Sequence, residues 1–346
     1  MIYNNLGDTG LRVSKICLGT MTFGEQNTER EAHEQLDCAI NSGINFIDTA
    51  ELYSVPGRKE TQGSTERYIG TWLKDRPDRE KLIIATKVAG PSPGLAYIRN
   101  PLNFSKEQIN TALDGSLKRL QTDYIDLYQL HWPERNVNKF GVLGYKHNEN
   151  EQWENNLLEV VQSLSELIKG GKIRYWGLSN ETPWGVMSFL RKAEENGLPK
   201  PITIQNPYSL LNRTFEVGLA EIAVREKIGL LAYSPMAFGL LSGKYHNGSD
   251  VSNSRIKLFP KLARYSSETA FEVANKYIRI AIKYSLKPSQ MALAYVNTRP
   301  FLWSTIVGAT DMEQLRENIE SINITIPDEC ISEIEKLHNS HSNPTP

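Results

Sequence analysis

Eight short runs rich in Ile, Leu, Val and Tyr punctuate the chain, and helical patterns fill the intervals between them. The runs are "KICLGT" near residue 15, "NFIDTA" near 45, "LIIATKV" near 82, "YIDLYQLH" near 124, "IRYWGLSN" near 173, "ITIQNPY" near 202, "GLLAYSP" near 229 and "STIVGA" near 304. In "TEREAHEQLDCAINSG", Ala32, Leu36, Ala39 and Ile40 share one helical face and Gly43 can end the helix. Strand then helix, repeated, marks parallel β/α units, and strands covered on both faces should be apolar throughout, as these are. The expectation is one α/β domain over residues 1–346, a closed (β/α)8 TIM barrel. An open doubly wound sheet is the alternative, but the G-x-G-x-x-G that usually opens a dinucleotide-binding sheet is absent.

Three segments fall outside the eightfold count. "YNNLGDTGLRVSKI" reads as an N-terminal hairpin that can plug the barrel bottom. Residues 133 to 156, with Phe140, Tyr145 and Trp153, form a loop too long to be a plain connector and are expected to set substrate preference. "SQMALAYVNTR" at 289 to 299 and "PDECISEIEKLH" at 327 to 338 read as extra C-terminal helices, and the tail 339–346 is expected to be disordered. With 40% apolar and 23% charged residues and a net charge of −1, nothing favours a nucleic-acid or membrane partner. The three cysteines form no C-x-x-C pair, and no signal segment or long apolar window is present, so a cytoplasmic protein is expected. Nothing sets an oligomeric state; a monomer is compatible with every pattern.

Barrel chemistry sits at the carboxyl ends of strands. The second run ends in Asp48, with Tyr53 five residues on; the third ends in Lys87 and the fourth in His131. A strand carboxylate such as Asp48 needs a cationic partner once buried. Alone, a strand-end His is more often structural than catalytic, but four titratable groups on three consecutive strands point to one site.

That set resembles the aldo-keto reductase superfamily, and within it the bacterial Tas-type reductases, through "GTMTFG", "GLSN", "IQNPYSLLNR", "AYSPMAFGLLSGKY" and "GATDMEQLRENI" in the same order. The resemblance spans residues 2 to 338 and implies an NADP(H)-dependent oxidoreductase reducing a small-molecule carbonyl substrate. Tyr53 would donate a proton to the carbonyl oxygen while the nicotinamide hydride attacks carbon. A phenol of pKa near 10 is a poor acid at neutral pH. An ammonium about 4 Å away at an effective dielectric of about 20 favours its anion by roughly 4 kcal/mol, close to three pKa units before desolvation. The resemblance assigns that ammonium to Lys87 and makes Asp48 its anchor. His131 would orient the substrate, and Phe23 and Trp132 would wall the pocket. The potassium-channel β subunits, a related branch that acts mainly as a binding partner, carry Asn where His131 stands.

For the cofactor, the resemblance implies Thr20, Met21 and Asp48 near the nicotinamide, and Ser179, Asn180 and Gln205 on its carboxamide. Tyr233 would stack on the ring. Ser234, Pro235, Ala237, Gly239 and Lys244 would wrap the pyrophosphate, and Gly308, Thr310, Gln314, Glu317 and Asn318 would take the adenosine end. Family members often carry Lys or Arg in that last loop for a 2′-phosphate; here Arg255, on the preceding loop, is the stand-in, or else a solvated surface arginine.

Competing signals are weaker. "GPSPG" at 90 to 94 matches a serine-hydrolase elbow, but Pro93 has no N–H for an oxyanion hole. Gly239 to Gly243 encloses three residues rather than the four of a P-loop, and Tyr245 stands after Lys244 in place of Ser or Thr. No histidine spacing implies a metal. Two other functions remain open: an NADP(H)-holding sensor with slow turnover, and a Schiff-base lyase using Lys87.

Overall fold

The computed structural model describes residues 1–74, 76–246, 254–258 and 264–346. Two short antiparallel strands, β1 (Tyr3–Asn5) and β2 (Arg12–Ser14), come first. Eight parallel strands follow: β3 (Ile16–Gly19), β4 (Phe46–Asp48), β5 (Ile83–Val88), β6 (Ile125–Leu130), β7 (Ile173–Ser179), β8 (Thr203–Pro207), β9 (Gly229–Tyr233) and β10 (Leu302–Val307). β10 pairs with both β9 and β3, which closes the barrel. β5 and β6 are buried along their whole length, as continuous apolar runs demand when helices cover the outside.

The helices are α1 (Glu29–Asn41), α2 (Ser64–Leu73), α3 (Lys106–Leu120), α4 (Leu157–Lys169), α5 (Pro183–Glu195), α6 (Phe215–Arg225), α7 (Arg255–Leu258), α8 (Glu268–Lys283), α9 (Pro288–Asn297), α10 (Met312–Glu320) and α11 (Asp328–Ser340). Their starts follow side-chain chemistry. Thr28 and Glu31 form a reciprocal capping box on α1, and Ser105, Ser267 and Asp311 cap α3, α8 and α10.

The hairpin does plug the barrel. Leu6, Leu11 and Val13 pack with Cys17, Phe46, Ala85, Leu127 and Leu231 in the interior cluster, and the Tyr175 hydroxyl donates to Thr9 O at 2.9 Å. The carboxyl ends of the strands, where barrel enzymes place their chemistry, lie at the opposite mouth.

Two expectations are corrected. α9 is no outer addition: every residue from Ser289 to Asn297 is buried. Leu293 and Val296 join the main core while Met291, Ala294 and Tyr295 join a second cluster with Val273, Tyr277 and Ile334. The amphipathic α8 is the added layer outside it, because among the described helices only α9 is buried on every face. The tail also packs. Thr345 is fully buried and its N–H donates to Leu211 O at 3.1 Å, while Asn343 Oδ1 accepts from the Arg213 N–H at 2.6 Å. These polar side chains satisfy main-chain groups of the β8–α6 loop, which a composition-based expectation of disorder does not weigh.

Candidate active site

Asp48 ends β4, and its register partner Ala85 lies two residues before Lys87 on β5, so the stagger of the barrel brings carboxylate and ammonium together. Lys87 Nζ donates to Asp48 Oδ2 at 2.7 Å and to Thr49 O at 2.7 Å, and neither Lys87 nor Asp48 is open to solvent. Burial disfavours the charge on Lys87, but Asp48 and then Tyr53 more than offset it through charge and hydrogen bonding, and its pKa ends above the ordinary lysine value. The ammonium lies 4.9 Å from the centre of the Tyr53 ring. The chain turns at Ala50–Tyr53, where the Tyr53 N–H donates to Ala50 O at 3.0 Å, and this turn folds the phenol back over the mouth.

His131 follows β6, with its N–H on Val88 O at 3.0 Å and its ring edge-on to Tyr53 at 5.8 Å. Burial and the Lys87 charge hold its pKa well below the usual histidine value, so the imidazole is neutral at pH 7. Its Nδ1 is buried and finds no hydrogen-bond partner among the described residues. The Trp132 ring lies 4.8 Å from the His131 ring and its Nε1 donates to Pro91 O at 3.0 Å. A Cβ on Gly90 would come within 2.5 Å of Trp132 O. The "GPSPG" segment is therefore the bed on which Trp132 lies.

The residues expected around the nicotinamide meet at the same mouth. Gln205 Nε2 donates to Asp48 Oδ1 at 2.8 Å, and Ser179 Oγ donates to Gln205 O at 2.8 Å. Asn180 Nδ2 donates to His131 O at 2.8 Å, and its Oδ1 accepts from the Tyr233 hydroxyl at 2.7 Å. Burial pushes the Tyr233 phenol up to about 12. Thr20 Oγ1 donates to Asp48 O at 2.7 Å, and Met21 O accepts from the Val55 N–H at 2.9 Å.

After Tyr233 the backbone turns left-handed at Ser234 and, beyond Pro235, at Ala237, Phe238, Gly239 and Gly243. A Cβ on Gly239 would lie 3.0 Å from Lys244 Nζ, so the ammonium lies across the bare glycine. This turn and its lysine fit a diphosphate. At the far loop, Asn318 Nδ2 donates to Gly308 O at 3.3 Å, and the Thr310 N–H and hydroxyl donate to Gln314 Oε1 at 3.3 and 3.2 Å. Glu317 is held by Lys287 Nζ at 2.9 Å and by Ser289 at the start of α9. The Arg255 side chain lies outside the described residues.

Phe23 does not wall the pocket: it is fully buried within the main core. Trp153 of the long loop has its ring edge-on to Trp184 of α5 at 6.4 Å and lines a small cavity with Trp132 and Ser179. Gln129, unanticipated, is buried with its Nε2 3.4 Å from Asp48 Oδ1. It stands two residues before His131, on the same side of a pleated strand, and that alternation was the available signal.

The description "Aldo/keto reductase family" matches residues 15–339. The chain belongs to the aldo/keto reductase family, and it is an oxidoreductase. It is 50% identical over 347 residues to "Protein tas" of Escherichia coli (strain K12), covering 100% of both chains. It is 34% identical to "Uncharacterized oxidoreductase YrpG" of Bacillus subtilis (strain 168), over 100% of this chain and 98% of that one. It is also 30% identical to "Probable voltage-gated potassium channel subunit beta" of Arabidopsis thaliana, over 94% of this chain and 92% of that protein. Among the described residues, no helix is long and apolar enough to cross a membrane.

Proposed function

We propose that this aldo/keto reductase reduces small aldehydes and ketones to alcohols with NADP(H), using Tyr53 as the proton donor. One observation carries the reading: the Lys87 ammonium touches both Asp48, at 2.7 Å, and the Tyr53 ring, at 4.9 Å from its centre. A buried ammonium favours the phenolate over the phenol, and Asp48 keeps the nitrogen charged. The nicotinamide, when bound, supplies the hydride to the carbonyl carbon. Tyr53 gives its proton to the oxygen as negative charge develops there, so alcohol and oxidised cofactor leave, and Tyr53 regains a proton from solvent. Neutral His131 can hydrogen-bond the carbonyl oxygen without adding a second positive charge beside Lys87.

Ser179, Asn180, Gln205 and Tyr233 would hold the nicotinamide, and the left-handed turn with Lys244 the diphosphate. The choice of NADP(H) over NAD(H) rests on the resemblance and is tested by titrating NADPH against NADH. The decisive experiment is Tyr53→Phe: carbonyl reduction falls by at least a thousandfold while NADPH affinity changes less than about threefold. Retained turnover would remove Tyr53 as the acid. The potassium-channel likeness favours a second reading, a cofactor-holding sensor. Bound NADPH that no aldehyde panel oxidises in a single turnover would select it.

A further inference from the structure

Glu51 stands between Asp48 and Tyr53, in the turn that carries the phenol, and its side chain is buried against the end of β5. Its Oε1 accepts from the Ala89 N–H at 2.6 Å and from Arg99 Nη2 at 2.8 Å, and its Oε2 accepts from Arg99 Nε at 3.2 Å. The Arg99 side chain is itself well buried, and its Nη1 donates to Gln108 Oε1 of α3 at 2.9 Å. The main chain of Glu51 is held as well: its N–H donates to Lys87 O at 3.2 Å, and its oxygen accepts from Gln62 Nε2 at 2.6 Å. Bonds to a carboxylate are stronger than neutral ones, and a guanidinium gripping both oxygens adds a fixed geometry.

These bonds join the segments that carry the reacting groups. Tyr53 stands two residues after Glu51, and Ala89 two after Lys87, so the Glu51 side chain ties the acid's turn to the ammonium's strand. The same strand end reaches the fourth strand-end group. Val88 O accepts from the His131 N–H at 3.0 Å, and Gly90 lies against Trp132, whose ring is 4.8 Å from that of His131. The influence of Lys87 on Tyr53 depends on their separation, and a misplacement of about 1 Å can cost about a hundredfold in rate.

We propose that Glu51, gripped by Arg99, is a positioning residue that sets the distance between Tyr53 and Lys87. It touches neither substrate nor cofactor; it acts by fixing where the turn sits on the end of β5. The proposal rests on the reductase reading above, so its test includes an arm that needs no turnover.

Two variants separate position from stability. Glu51→Met/Arg99→Met removes both charges together, leaves the net charge unchanged and strands neither partner, but offers the Ala89 N–H no acceptor. Glu51→Gln keeps an acceptor oxygen for Ala89 and leaves the buried Arg99 guanidinium without the Glu51 charge. With NADPH and 4-nitrobenzaldehyde, and rates normalised to bound NADPH, the double variant loses at least about thirtyfold in kcat while KM and NADPH affinity change less than about threefold. Glu51→Gln melts at the lower temperature of the two yet keeps at least about a third of the wild-type kcat. Reduction needs Tyr53 protonated, and a phenol further from an ammonium holds its proton to higher pH, so the alkaline limb of kcat in the double variant rises by at least about half a pH unit. Glu51→Asp, which keeps the charge but is one methylene shorter, makes the same predictions if the double variant does not fold. In the second arm, tyrosine labelled with 13C at Cζ reports the ionisation of Tyr53 by NMR, its signal assigned with Tyr53→Phe. The midpoint rises in the double variant and stays at or below the wild-type value in Glu51→Gln. If the wild type reduces no aldehyde, the reductase reading fails and this arm still decides for or against Glu51. A wild-type kcat in the folded double variant overturns the proposal. So does a fall in kcat with limb and midpoint unmoved, or activity that follows melting temperature across the variants, either of which makes the pair merely structural.

Discussion

Replacing Lys87 by Met separates the stabilising and catalytic parts of the Asp48–Lys87 pair. Lys87 has no exposed surface, and methionine fills much of its volume, so packing changes little. What changes is the electrostatics. Asp48 keeps Gln205 at 2.8 Å and Gln129 at 3.4 Å but loses the ammonium at 2.7 Å. A buried pair broken on one side costs about 3–5 kcal/mol. Unfolding entropy of about 2.1 cal/mol/K per residue amounts to about 0.7 kcal/mol/K for 346 residues, so Tm falls by about 4–7 °C in calorimetry. The double variant Asp48→Asn/Lys87→Met leaves no stranded charge and recovers all but about 1 kcal/mol of the loss. Neither variant regains activity: the roughly 4 kcal/mol by which the ammonium favours the phenolate corresponds to about a thousandfold in kcat. An unchanged melt for Lys87→Met would show that the pair is not desolvated. A double variant as unstable as the single one would show that the loss is packing.

Other perturbations probe the walls of the site. His131 has its pKa depressed in the fold, so the unfolded chain takes up more protons below about pH 6.5 and the stability held above that pH is lost on acidification. His131→Gln removes this contribution, and urea melts of the two proteins converge by up to about 1.4 kcal/mol per pH unit below 6.5; parallel stability curves would refute the depressed pKa. Gly90→Ala places a Cβ 2.7 Å from Trp132 Nε1 and displaces the ring that lies 4.8 Å from His131. It costs about 1–3 kcal/mol of stability and lowers kcat/KM; wild-type values for both would show that the Trp132 bed is compliant.

The barrel was legible because each repeat carries its own local signal, a buried-strand run and then a 3.6-residue period, and eight of them must close. Asp48, Lys87 and His131 were legible for a related reason: ionisable groups at the ends of consecutive apolar strands violate the pattern of their surroundings. Gln129 escaped because a neutral amide inside "YIDLYQLH" breaks the pattern less than a charge does. The assignment of helices around β10 failed on ranking two adjacent helical segments, since α8 has the clearer amphipathic pattern while α9, buried on all sides, shows less contrast.

Phe23 and the tail fail for a different reason, and they mark where local pattern stops being informative. Phe23 stands in "GTMTFG" beside Thr20 and Met21, yet its main-chain oxygen is held by Thr65 Oγ1 at 2.8 Å, which belongs to α2. That contact turns the ring into the core, and nothing near residue 23 announces it. The tail reads as polar and flexible, but Thr345 bonds Leu211, 134 positions away, and Pro346 bonds Arg264, 82 positions away. Arg264 in turn reaches Tyr233, and through Asn180 the main chain of His131. Period and propensity describe what a segment does to itself; they hold no term for a chain end that finds its partners across the barrel mouth. The clustered ionisable groups at the strand ends could be read one by one, whereas the rim around them is built from distant segments and becomes visible only when they are assembled.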